Sequence, residues 1–345
     1  MTSSERVLTG MRPTGKLHLG HYVGALKLWK KAQADHLDCY FLIADVQALS
    51  THSDRPEIIR DSVRDVVLDW ISVGLDPTLP NVHFVLQSQV SARSQIFELL
   101  SMVANYQEVV RNPTIKAEMK QLADAKKLIT LGFVSYGVNQ AADILMVSPT
   151  NERGNHLYVP VGADQVPHLE GTNDIARAFN RAYSTNVMLP CEGRVGDIGR
   201  LVGIDGDAKM SKSMDNAIML SDPEEMVRTA VRKMFTDPRR LKATDTVDSV
   251  EQNPLFIYLR AFAEDQKEVD EYERKYKAGL VGDVPLKNRL AEIINEMLEP
   301  MRERRLAAEH EPIGDYVREG TKAASIIADE VLAKMQDAMH LGFPA

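Results

Sequence analysis

The chain has 345 residues, a formal net charge of −8 and 44% apolar residues. That length suits two domains rather than one, and the composition supports a sizeable core. The acidic balance argues against indiscriminate binding of nucleic acid, DNA included, although a local basic patch can still hold a structured RNA.

No run approaches the roughly 20 apolar residues of a membrane span. The opening Met1-Thr2-Ser3-Ser4-Glu5-Arg6 lacks a basic start followed by an apolar stretch, so no signal peptide is visible. Cys39 and Cys191 stand alone, without metal-ligand spacing. These features predict a cytoplasmic protein with no membrane partner and no multi-cysteine zinc or iron–sulfur site.

Arg6 to Thr9 reads as a short buried strand, and Gly10 to Gly20 as a loop carrying Pro13 and Gly15. A helix follows from about His21 to Gln33, with Val23, Leu26 and Trp29 on one face. Cys39 to Ala44 is an apolar run ending at Asp45, the pattern of an interior parallel strand. Pro56 to Gly74 is an amphipathic helix, opened by proline and closed by glycine, with Ile59, Val63, Val66, Val67 and Trp70 as its stripe. Asn81 to Gln87 is a further strand. This alternation predicts an α/β fold with a doubly wound parallel sheet, a Rossmann-like nucleotide-binding domain with ligands at the carboxyl ends of its strands.

Tyr136 to Met146 reads as a helix stopped by Pro149, and His156 to Gly162 as a strand leading to a helix from about Asp164, which could cap it. Ser221-Asp222-Pro223-Glu224-Glu225 is a strong helix start, and the sequence is mostly helical from there on. The predicted layout is a catalytic domain over 1–200, a mobile loop and junction over 201–220, and an α-helical C-terminal domain over 221–345 whose last helix packs back on the first domain.

Two short segments carry the chemistry. His18-Leu19-Gly20-His21 puts two imidazoles where a turn enters a helix, and Gly20 lets a ligand approach the backbone. Exposed N–H groups and the helix dipole make that place attractive to phosphate. By itself the pair could equally be two chance histidines or half a metal site. Lys209-Met210-Ser211-Lys212-Ser213 puts two ammonium groups on a loop flanked by small residues, suited to a developing pyrophosphate charge. An isolated K-x-x-K is more often a solvated loop. Together, in this order, the two segments point to adenylyl transfer from ATP.

They also resemble the two signature motifs of class I aminoacyl-tRNA synthetases. Thr9 to His21 resembles the opening of the tryptophanyl-tRNA synthetase family, as do Ala141-Ala142-Asp143-Ile144-Leu145 and Val159-Pro160-Val161-Gly162-Ala163-Asp164-Gln165. The similarity runs through nearly the whole chain and looks bacterial. It implies activation of L-tryptophan with ATP and transfer to tRNA(Trp), with Mg²⁺ carried by the ATP phosphates and a homodimer joined through the nucleotide-binding domains. It places His18 and His21 at the phosphates, with Arg12 a further contact. Lys209, Met210, Ser211 and Lys212 belong to the closing loop, and Gly20, Gly162 and Asp164 approach ATP. It implies that Asp143 accepts the indole N–H and that Tyr136 and Gln165 hold the α-ammonium group.

Tyr136, Gln140 and Asp143 are spaced i, i+4, i+7 and share a helical face. A carboxylate among Ala142, Ile144 and Leu145 needs a partner if buried. Gln140 stands where many tryptophan enzymes have methionine, and Gln47 where many have histidine, which resembles a divergent tryptophan subgroup. The Tyr136, Gln140, Asp143 trio is also the arrangement of the tyrosyl sister family, so tyrosine stays open as substrate. A non-catalytic paralogue acting as a binding protein, or another HxGH nucleotidyltransferase, is the reading from a different class.

The helical C-terminal domain is the expected anticodon reader. Its basic clusters, Arg228 with Arg232 and Lys233, Arg239 with Arg240 and Lys242, and Arg302 with Arg304 and Arg305, read as solvated faces before they read as RNA contacts.

Overall fold

Four of the apolar runs become the parallel strands β1 (Glu5–Met11), β2 (Asp38–Ile43), β3 (Val82–Leu86) and β4 (His156–Val161). A fifth strand, β5 (Glu192–Val195), completes the sheet in the order β3-β2-β1-β4-β5. Its sequence Glu-Gly-Arg-Val shows no apolar run, because it is an edge strand with little burial. The computed structural model describes residues 4–343 apart from 125, 127, 197–200, 207–209, 211–213, 239 and 241. Lys209, Ser211, Lys212, Arg239 and the side chain of Asp164 therefore lie outside the described residues.

Strand order reverses at β1, which pairs with β2 on one side and β4 on the other. That reversal opens a crevice at the carboxyl ends of the two strands, where α/β sheets bind ligands. The chain leaves β1 through the histidine segment into α1 (Leu19–His21), a π-helical turn (Tyr22–Leu26) and α2 (Lys27–Ala34). The single helix read from the sequence is thus interrupted. The wider turn buries Tyr22, Val23 and Leu26 together.

After β2 come α3 (Asp45–His52) and α4 (Pro56–Ser72), with Pro56 in the first turn of α4 as its sequence requires. Trp70 of α4 meets Trp29 and Phe84 edge-on at 5.4 and 5.3 Å, while Trp29 stacks on Phe41 at 5.1 Å. Between β3 and β4 run α5 (Ser91–Ser101), α6 (Tyr106–Arg111), α7 (Pro113–Asp124), α8 (Leu131–Val134) and α9 (Tyr136–Leu145). A 3₁₀ turn, Ala163–Gln165, precedes α10 (Val166–Ala182), so Gln165 rather than Asp164 occupies the capping position.

The C-terminal helices are α11 (Glu224–Lys233), α12 (Pro254–Phe262), α13 (Gln266–Lys277), α14 (Asp283–Ala308) and α15 (Ile313–Ala338). Helix α11 starts one step later than its sequence signal suggests, with Pro223 at the cap. Asp222 instead turns back, its carboxylate accepting the Met219 N–H at 2.8 Å. Met301 joins the core.

Arg240, Arg302 and Arg305 depart from the solvated-face expectation, whereas Lys242 and Arg304 are exposed as that expectation has it. Arg302, Arg304 and Arg305 stand where α14 crosses α4: Arg304 and Arg305 donate to oxygens of the first domain, and Arg302 donates to the Asp222 carbonyl just before α11. Arg240 is buried over the Tyr276 ring and bonds the carbonyls of Asp245 and Val281. Arg228 stays on the surface, paired with Glu224 at 2.7 Å, an arrangement that contributes little stability.

Helix α15 covers the free edge of the sheet. The Leu86 N–H of β3 donates to Thr321 Oγ1 at 2.9 Å, so the helix satisfies an edge group that could otherwise recruit another strand. Gly320 makes this approach possible, since a Cβ there would lie 2.3 Å from the Phe84 carbonyl oxygen. Backbone cannot yield as a flexible side chain can. Gly320→Ala is therefore expected to destabilise the fold by about 2 kcal/mol or more through overpacking. Urea denaturation checks this, and unchanged stability would contradict the close packing.

Candidate active site

The histidine segment is fixed from outside as well as within. Leu19 N–H donates to the Ile218 carbonyl at 2.9 Å, and Leu220 N–H to the Leu17 carbonyl at 2.9 Å, with His18 opposite Met219 in an antiparallel bridge. The stretch that follows the lysine segment is thereby tied to the turn that carries His18 and His21. His21 Nδ1 accepts from the His18 backbone N–H at 3.1 Å, which leaves the proton of the neutral ring on Nε2. The two rings lie 3.8 Å apart between centroids.

Gly20 lies between them, and its N–H donates to Met210 Sδ at 3.3 Å. A Cβ at Gly20 would lie 3.0 Å from the His18 ring, so any larger residue there would press on that imidazole. Met210 is fully buried against this turn. One residue of the lysine segment thus touches the helix entry directly. Arg12 is exposed, its guanidinium 3.4 Å from Thr51 Oγ1.

Beside the turn, at the carboxyl ends of β1 and β4, lies a cavity of about 130 Å³. Gly10, Trp29, Pro160 and Gly162 contribute to its walls, and Gln47, Gln140, Asp143 and Gln165 bring polar groups to it. A Cβ on Gly10 would meet the Leu42 carbonyl oxygen at 2.5 Å, so no side chain fits at that point of the wall. Gln140 Nε2 reaches toward Gln165 Oε1 at 3.5 Å, while its own Oε1 is buried with no hydrogen-bond partner among the described residues.

Tyr136 shares the helix face of Gln140 and Asp143 but is not part of this lining. Its hydroxyl meets His168 Nε2 at 3.1 Å. Burial, and then Glu118, raise the phenol above its ordinary range, with Arg12 pulling the other way.

Asp143 is buried, and its partners come from two residues that the sequence does not single out. Arg93 Nε donates to Oδ1 at 2.7 Å. Gln87 Nε2 spans both oxygens at 2.8 Å. Gln87 Oε1 accepts the Gln47 N–H at 3.0 Å, which fixes the amide's orientation. Burial pushes the Asp143 carboxyl up, and Arg93 and Gln87 pull it down. Arg93 and Gln87 are invisible in sequence because they come from separate elements, α5 and the turn after β3. The need for some counter-charge is legible, but its position is not.

Chemically, the site combines imidazoles and backbone donors at one end with a fixed carboxylate in a narrow cavity at the other. The first end suits phosphate oxygens. The second suits an N–H or O–H donor on a flat apolar group, because a carboxylate has about four acceptor positions and three are taken.

Comparison with known proteins agrees with this chemistry. The family profile "tRNA synthetases class I (W and Y)" matches residues 2–299. The tryptophan–tRNA ligase of Lactococcus lactis is 39% identical over 345 residues, covering 98% of each chain. That of Treponema pallidum is 40% identical over 340 residues, covering 97% of each. A crystal structure of tryptophanyl-tRNA synthetase from Campylobacter jejuni, complexed with ADP and tryptophan, superposes with a TM-score of 0.79 at 28% identity, covering 97% of this chain and all of that one.

The Arg93–Asp143 pair makes a stability prediction. Arg93→Met leaves a buried carboxylate without its counter-charge and should destabilise the protein by about 3–5 kcal/mol, whereas Arg93→Met with Asp143→Leu should recover most of that. Urea denaturation of both variants checks it. A single variant as stable as the parent would contradict the pairing.

Proposed function

The chain belongs to the class I tRNA synthetases of the tryptophan and tyrosine group, among the tryptophan–tRNA ligases, and from that premise we propose how its residues divide the reaction. The observation that carries the proposal is the fixed, buried Asp143 carboxylate on an otherwise largely apolar cavity next to a phosphate-suited turn. In this reading Asp143 accepts the indole N–H of L-tryptophan, Tyr136 and Gln165 hold its α-ammonium group, and Gln140 and Gln47 contact the rest of the amino acid. The combination of Gln140 and Gln47 assigns the chain to a divergent subgroup.

ATP lies across Gly20 and Gly162, with the ribose near Asp164 and the phosphates at His18 and His21. The tryptophan carboxylate, already ionised, attacks the α-phosphorus. A carboxylate–phosphorus bond forms, the bond to the β-phosphate oxygen breaks, and pyrophosphate leaves with its electron pair. No protein nucleophile is needed, so the work is positioning and charge stabilisation. His21, with its proton on Nε2, supplies a donor at the phosphates. Lys209, Ser211 and Lys212 meet the leaving pyrophosphate, and Arg12 adds charge nearby. Mg²⁺ suits the phosphates of ATP more than this chain's groups, which at that end are imidazoles and cations rather than carboxylates. A ribose hydroxyl of the 3′-terminal adenosine of tRNA(Trp) then attacks the tryptophanyl carbonyl carbon; the new ester bond forms, the carbonyl–phosphate oxygen bond breaks, and AMP leaves with that electron pair while the hydroxyl proton is released.

The division into a catalytic domain over 1–200, a junction over 201–220 and an anticodon-reading helical domain over 221–345 belongs to the same proposal. So does a homodimer joined through the first domain, where Met102, Tyr106, Leu128 and Leu131 are exposed apolar residues in one connecting stretch. Action in the cytoplasm belongs to the same proposal. No helix among the described residues is long and apolar enough to cross a membrane.

Two variants test the division of labour. Lys212→Ala should lower the rate of activation by about a hundredfold while leaving the KM for tryptophan little changed, and an unchanged rate would remove the loop from the mechanism. Asp143→Ala should weaken tryptophan binding in calorimetry by about 2 kcal/mol and erode selectivity against phenylalanine. Unaltered selectivity would refute its role.

A further inference from the structure

We propose that Asp69, paired with Arg305, is a positioning residue for the reaction: it fixes the backbone of Leu17, and with it the His18–His21 turn, from the C-terminal helix α14. The inference rests on the adenylation reading above and adds residues that lie outside the cavity.

Asp69 sits inside α4 with 0% exposure, where a carboxylate is costly unless every oxygen is matched. Its Oδ2 accepts the Leu17 backbone N–H at 2.7 Å. Its Oδ1 meets Arg305 Nη1 at 2.5 Å, and Arg305 Nη2 meets Asp65 Oδ1 at 2.5 Å. Burial raises the Asp69 carboxyl to about 6, against the pull of Arg305 and the Leu17 N–H.

Leu17 is the residue just before His18, and its carbonyl is taken by Leu220 N–H at 2.9 Å. Both polar groups of its backbone are therefore engaged, one by α4 and α14, the other by the segment that follows the lysine loop. A parallel tie leaves the same turn of α14. Arg302 Nε donates to the Asp222 carbonyl at 2.8 Å, and Asp222 Oδ2 accepts Met219 N–H at 2.8 Å. Arginines three residues apart on α14 thus hold both sides of the pairing between 17–19 and 218–220.

Packing alone does not need this arrangement, because a buried ion pair can often be replaced by apolar residues without loss of stability. Such a replacement would preserve the α4–α14 contact but release Leu17. A displacement of about 1 Å in groups that align reacting atoms can cost about a hundredfold in rate.

The test is tryptophan-dependent pyrophosphate exchange by the full-length protein, read well below its melting temperature. Asp69→Leu with Arg305→Met should lower kcat at least about tenfold while the KM for tryptophan moves less than about threefold. Asp69→Asn with Arg305→Gln, neutral but with an acceptor oxygen toward Leu17, should recover most of that loss. A purely structural role would lower the melting temperature of the apolar pair and leave kcat of the folded protein intact, which would overturn the inference. Failure of the amide pair to recover activity would overturn it too. If the apolar pair does not fold, Arg302→Met reads the other tie, with the same kcat loss expected and an unchanged kcat contradicting it. A wild-type chain without tryptophan-driven exchange would overturn the underlying reading and this inference together, whereas active wild type with an unaffected apolar pair overturns this inference alone.

Discussion

The short backbone pairing of residues 17–19 with 218–220 is the constraint on which the site depends. It joins two stretches far apart in the chain, one carrying the imidazoles and the other following the lysine segment. Neither stretch has much regular structure of its own, and each uses the other to satisfy its amide groups. The contact of Met210 Sδ with the Gly20 N–H adds a side-chain tie at the same point. In the proposed reaction both segments act on the phosphates, and this pairing ties residues 218–220, which follow the lysine segment, to the histidine turn.

Buried charge sets the rest of the geometry. Asp143 is held by Arg93 and Gln87 at the cavity, and Asp69 by Arg305 against the backbone just before the histidine turn. Each is a carboxylate whose desolvation is offset by a guanidinium from a different element. Neither pair adds much net stability over an apolar alternative, but each leaves a carboxylate oxygen aimed at an N–H donor. For Asp69 that donor is the backbone of Leu17, and for Asp143 the proposed donor belongs to the substrate.

Much of this was legible in the sequence. The interior strands announce themselves as apolar runs, and α4 by its proline start and apolar stripe, because burial on both faces or one face dictates those patterns. The doubly wound sheet follows from their alternation. Edge strand β5 was not legible, since little of it is buried and Glu-Gly-Arg-Val has no periodicity. The π turn at Tyr22–Leu26 was missed because its residues also fit a regular helix face. The candidate polar residues Gln47, Gln140, Asp143 and Gln165 do meet at one cavity, whereas Tyr136 stands beside it against His168. Arg305 read as surface charge because a local window cannot see that α14 crosses α4, where Asp69 lies buried. Long-range partners of this kind, Arg93 and Gln87 included, leave no local pattern.

The measurement that bears most directly on the central claim is amino-acid-dependent exchange of labelled pyrophosphate into ATP, comparing tryptophan with tyrosine. The account predicts exchange driven by tryptophan and not by tyrosine, in keeping with the tryptophan–tRNA ligases to which the chain is 39–40% identical and with a fixed Asp143 acceptor that holds one donor in place. Exchange driven by tyrosine, or by neither amino acid, would contradict it.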